Sequence, residues 1–80
     1  MNKSQWLSKA KVLHKTCVEN IAEKKGSIKS TNPEAKTMNE LQKAIGSNHA
    51  IKEVTYKELR ESLDEMFEWV KAGQKDDLLK

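Results

Sequence analysis

The stretch VTYKELRESLDEMFEWVKAG, residues 54–73, constrains the fold more than any other part of the chain. Tyr56, Leu59, Leu63, Met66 and Val70 recur at spacings of three and four, with Phe67 beside them. A helix turning about 100° per residue gathers these positions into one apolar stripe, whereas a strand would scatter them over two faces. The start of the helix is marked twice. Thr55 and Glu58 have the spacing of a capping box, and Val54 and Leu59 occupy the two positions of a hydrophobic staple. Gly73 supplies a stop. The pattern predicts a helix over 55–72, with two heptads of the kind that pack helices side by side.

A second long helix is expected over 4–25, capped by Asn2 or Ser4. Trp6, Ala10, Leu13, Cys17 and Ile21 share one face, which Leu7 and Val18 widen. Ser8, Lys9, Lys15, Thr16, Glu19 and Glu23 lie on the other side. Lys24 and Lys25 suit the negative end of the helix dipole, and Gly26 suits the left-handed residue that closes it. The next ten residues, SIKSTNPEAK, are polar and read as irregular. Asn32 and Pro33 offer one helix start. The capping box formed by Thr37 and Glu40 offers a stronger one, and predicts a short helix over 37–45 that ends at Gly46. The expected architecture is all-α: one domain over 1–80, with two long antiparallel helices and a short one between them. The tail, 74–80, is expected to fray unless Leu78 and Leu79 fold back.

Eighty residues with 36% apolar content can bury only a modest core. No run is long and apolar enough to cross a membrane, and the N-terminus lacks the apolar stretch of a secretory signal, so the expected location is the cytoplasm. One cysteine excludes an intrachain disulfide. His14 and Cys17 stand three residues apart on a helix, but two ligands do not make a metal site, so no metal and no cofactor are expected. No nucleophile elbow, glycine-rich phosphate loop or cleft-forming pair of carboxylates is present in the sequence. No catalytic residue is assigned, and the chain is not expected to be an enzyme.

Binding is the remaining class, and charge organises the candidates. Residues 1–36 hold eight lysines against three glutamates, giving +5; residues 37–80 hold seven basic against nine acidic residues, giving −2. This split suits a basic half packed on an acidic half of the same molecule. Glu58, Glu61, Glu65 and Glu68 form an acidic row, with Asp64 beside it. Trp69 lies about 110° off the apolar stripe, toward that row. A tryptophan so placed offers contact area with one polar handle. Trp69, Glu61, Glu65 and Glu68 are therefore the expected partner-binding residues, and the partner is a larger protein with a basic surface.

The favoured function is that of a small adaptor, inhibitor or regulator, a style of chain frequent in phages and mobile elements. The alternative is a DNA-binding regulator with a degenerate helix-turn-helix over 38–54, presenting Ser47, Asn48, His49 and Lys52 to a groove. That match is one residue short in its turn, and Gln42 stands where a small residue usually lets the helices approach. Lys3, Lys9, Lys11 and Lys15 are a second nucleic-acid candidate, but no arginine accompanies them in residues 1–36. A third reading is a self-associating subunit. A heptad seam in a chain of low apolar content motivates the expectation of a homodimer.

Overall fold

The computed structural model describes residues 1–47 and 52–80. The first helix, α1, runs Lys3–Ala22. Asn2 caps it with a complete capping box: Asn2 Oδ1 accepts the Gln5 amide at 2.8 Å and Gln5 Oε1 accepts the Asn2 amide at 3.1 Å. The helix ends at Ala22, and the left-handed residue that closes it comes two positions before the expected glycine. Lys24 takes the left-handed conformation (φ 59°), and the Lys24 and Lys25 amides turn back to the carbonyls of Ile21 and Asn20. This is a Schellman closure built on lysine instead of Gly26.

Residues 26–36 are not a long irregular segment. Ser27–Lys29 form a strand, β1, and Pro33–Ala44 form a helix, α2. α2 therefore starts a turn earlier than 37, at the weaker of the two sequence signals. Asn32 Oδ1 accepts the Glu34 amide at 3.0 Å, with Pro33 as the first helical residue. The extra turn buries Ala35 completely, which the later start would forgo. Thr37 then sits inside the helix, and its hydroxyl donates to the Pro33 carbonyl instead of capping. Gly46, at φ 75°, closes α2.

Glu53–Thr55 form β2, which pairs antiparallel with β1 so that Ile28 faces Val54. The protein is thus mostly helical with a small ribbon, not purely α. Three-residue strands are marginal alone. This pair is held because Ile28 is buried in the common core. The last helix, α3, runs Tyr56–Lys71. The Thr55 hydroxyl accepts the Glu58 amide and donates to the Glu58 carboxylate, both at 3.1 Å. Gly73, at φ 80°, closes it.

Contacts between α1 and the C-terminal part pair Lys3 with Asp76, Trp6 with Phe67 and His14 with Asp64. The numbers rise on one side as they fall on the other, so α1 and α3 run in opposite directions. All five residues of the α3 stripe are buried, facing Trp6, Ala10, Leu13 and Cys17 of α1 and Met38, Leu41 and Ile45 around α2. The tail folds back: Leu79 is buried, and Leu78 lies against Gly46.

One side chain ties the three helices together. Trp6 is fully buried, and its indole N–H donates to the Leu41 carbonyl at 3.0 Å. The Ile45 amide, which would take that carbonyl in a continuing helix, bonds to Gln42 instead. The indole therefore satisfies a carbonyl freed by the end of α2. The Trp6 and Phe67 rings pack nearly perpendicular, with their centres 5.8 Å apart.

Candidate binding surfaces

Helical spacing and tertiary packing divide the expected α3 patch. Trp69 is half-buried against the core, and the Lys75 ammonium lies 5.7 Å from its ring centre. With Ser62, Glu65 and Met66 of α3, and with Gln42 and Ser47 from the end of α2, it lines a cleft of about 300 Å³. Glu61 and Glu68 are exposed, but they lie round the back of α3 and do not line that cleft. Only Trp69 and Glu65 of the four are brought together.

The helix-turn-helix expectation meets a different obstacle. Asn48 and His49 lie outside the described residues. Ser47 closes α2 through its amide, and the Lys52 carbonyl accepts the Ser30 amide at the end of the ribbon. Val54, at the end of the expected helix-turn-helix segment 38–54, is in β2. A helix running through 54 is not formed, because the Ile28–Val54 pair claims that backbone for the ribbon.

His14 and Cys17 also part company. His14 Nε2 lies 2.9 Å from Asp64 Oδ1 across the α1–α3 boundary. Cys17 is buried in the core, where burial, helped by the Glu34 carboxylate, pushes its thiol up to about 11. Such a thiol stays protonated and unreactive near neutral pH.

Two further concavities border α1, one on each flank. Toward α2, a groove of about 510 Å³ is lined by Val12, Leu13 and Thr16 of α1 and by Pro33, Glu34 and Thr37 of α2. Val12 stands over it 68% exposed. Lys9 and Glu40 close one end, 3.5 Å apart. The sequence carried a signal for this groove: Val12 falls about 100° from Leu13, off the apolar stripe of α1, so the stripe could not absorb it. Toward α3, a crevice of about 310 Å³ is lined by Lys11, His14, Lys15, Asp64, Phe67 and Lys71.

Charge pairing separates the lysines of α1. Lys3 pairs with Asp76 and Lys9 with Glu40, so the basic half does meet the acidic half. Lys11 and Lys15 have no carboxylate partner among the described residues. No helix among the described residues is long and apolar enough to cross a membrane. No protein-family model matches the chain, and neither the curated proteins nor the solved structures compared with it give a match.

Proposed function

We propose that this protein is a small non-enzymatic binding protein that acts by covering a surface on a larger protein partner, and that the α1–α2 groove seats that partner. The observation that carries this reading is the groove itself, with Val12 two-thirds exposed above apolar walls. A single exposed valine is ordinary, but one standing over a concavity offers a place for another molecule's apolar side chain. Glu34 and Glu40 outnumber Lys9 around the groove. The matching partner is an amphipathic helix that places an apolar residue in the groove and lysine or arginine at its margin.

The patch of Trp69 with Glu65, extended along α3 by Glu61 and Glu68, is the alternative seat for the same function. Self-association has lost its original motive, because the heptad seam of α3 is consumed by the protein's own core. The test is affinity capture from native-host lysate with mass spectrometry, comparing the wild type, Val12→Asp and Trp69→Ala. A protein held by the wild type and by Trp69→Ala, but lost by Val12→Asp, supports the groove. The opposite pattern moves the site to Trp69. No specific protein captured by the wild type, or equal capture by all three, refutes the reading.

A further inference from the structure

We propose that the crevice between α1 and α3, bounded by Lys11, Lys15 and Lys71, binds the phosphate backbone of nucleic acid without reading its sequence. The inference is independent of the α1–α2 groove, which lies on the other flank of α1.

Some of the cations of α1 are already spent. Lys3 and Lys9 lie within salt-bridge distance of carboxylates. Lys11, Lys15 and Lys71 are exposed, and none has a carboxylate partner among the described residues. The fold brings these three to one crevice from two antiparallel helices. Lys11 and Lys15 are one turn apart on α1, and Lys71 is in the last turn of α3. The sequence alone shows only a lysine face on the first helix; the third lysine comes from residue 71 and joins through packing.

The crevice floor favours an anion as well. Its one carboxylate, Asp64, is in hydrogen-bond contact with His14 at 2.9 Å and is not within salt-bridge distance of any of the three lysines. Phe67 forms an apolar wall, and the Lys71 ammonium rests 5.4 Å from its ring centre. A cation–π contact of that kind is weak at an exposed site, so a phosphate can draw the ammonium off.

Base reading is not expected. None of the residues lining the crevice is an arginine, asparagine or glutamine, the side chains that pair with base edges in two places at once. Backbone neutralisation by three cations has a quantitative signature. The logarithm of the affinity should fall with the logarithm of salt with a slope of about −2.7 on duplex DNA, which is about a 40-fold loss between 50 and 200 mM salt.

The test is fluorescence anisotropy with a labelled 20-base-pair duplex and a scrambled duplex of the same composition. Three proteins are compared: the wild type, the triple variant K11Q/K15Q/K71Q, and a control triple variant K24Q/K36Q/K80Q. The control removes the same net charge from exposed lysines elsewhere. The expected result is equal binding of both duplexes by the wild type, with the predicted salt slope. The crevice variant should lose at least tenfold in affinity at 50 mM salt, and its slope should fall toward zero. The control should lose less than threefold, and all three proteins should give the same circular dichroism spectrum. Three results overturn the proposal: no binding by the wild type at 50 mM salt, equal losses in the two triple variants, or salt-sensitive self-association that K11Q/K15Q/K71Q abolishes. The last would assign the crevice to the acidic row of a second copy. Val12→Asn, which removes the valine without adding charge beside Lys11, should bind DNA as the wild type does, so failure of the groove and failure of the crevice are separately visible.

Discussion

Replacing Trp6 by phenylalanine should destabilise the protein far more than a conservative aromatic exchange usually does. The indole N–H is the donor to the Leu41 carbonyl, at 3.0 Å in a fully buried site. Phenylalanine cannot donate, and the Ile45 amide is already committed to Gln42. The Leu41 carbonyl would be left buried without a partner, which costs roughly 1–3 kcal/mol. The smaller ring also leaves a void beside Phe67 and Leu41, and incomplete refilling adds roughly 1 kcal/mol. The sum, about 2–4 kcal/mol, is a large share of the roughly 4–12 kcal/mol that a domain of this size has in total. Thermal unfolding followed by far-UV circular dichroism should therefore shift down by at least about 10 °C. Trp69→Phe serves as the comparison, because Trp69 is only half-buried and lies at the edge of the core. Its shift should be less than half as large. A Trp6→Phe midpoint within about 2 °C of the wild type would refute the reasoning, since the freed carbonyl would then be satisfied without the indole.

The Schellman closures give a pair of opposite expectations. Gly46→Ala should destabilise by roughly 1–2 kcal/mol, because the residue is at φ 75° and an added Cβ would lie 3.2 Å from Leu78 Cδ1, whereas Lys24→Gly should stabilise by roughly 0.5 kcal/mol by relieving the same strain at φ 59°; urea unfolding of both variants decides it. Stability should fall in alkaline solution: burial, with Glu34 adding, holds the Cys17 thiol at about 11 against 9.0 when free, so its contribution is complete below about pH 9 and is lost as pH rises through about 11. Tyr56 is pushed up in the same direction, first by burial and then by Glu34. Melts at pH 8 and pH 10.5 should show the loss, with a shallower pH dependence in Cys17→Ala; identical pH dependence in the two proteins would contradict it.

Two of the three helices could be read from the sequence nearly to their ends, because spacing and caps agreed. In α3 the stripe, the Thr55 cap and Gly73 all point to one segment, and the structure uses each of them. At α2 two starts competed. Local chemistry favoured Thr37, whose capping box is complete in sequence. Burial of Ala35 favoured Asn32, and burial is a tertiary quantity that no local pattern reports. The ribbon was illegible for a related reason. SIK and EVT each carry one apolar residue in a three-residue strand, too short for a period of two to show. Their pairing partners are also 26 residues apart at Ile28 and Val54. At the candidate sites, the sequence could place Lys11 and Lys15 on one helix, and it could place Trp69 off a stripe. It could not show that Lys71 joins those lysines, or that Glu61 and Glu68 stand outside the Trp69 cleft.

The two binding proposals follow from how little surface a short three-helix chain can spare. α1 turns one face into the core through Trp6, Ala10, Leu13 and Cys17. Its two flanks become the walls of trenches, because the round surfaces of neighbouring helices diverge beyond their line of contact. Against α2 the flank presents Val12 and Thr16, and the trench is apolar with an acidic margin. Against α3 it presents Lys11, His14 and Lys15, and the trench is basic. Opposite characters on the two sides of one helix mean that one ligand cannot suit both. A protein helix bearing lysine or arginine is attracted to the first and repelled from the second, and a polyanion the reverse. On the two proposals together, α1 would stand between a protein seated on one flank and a nucleic-acid backbone bound on the other.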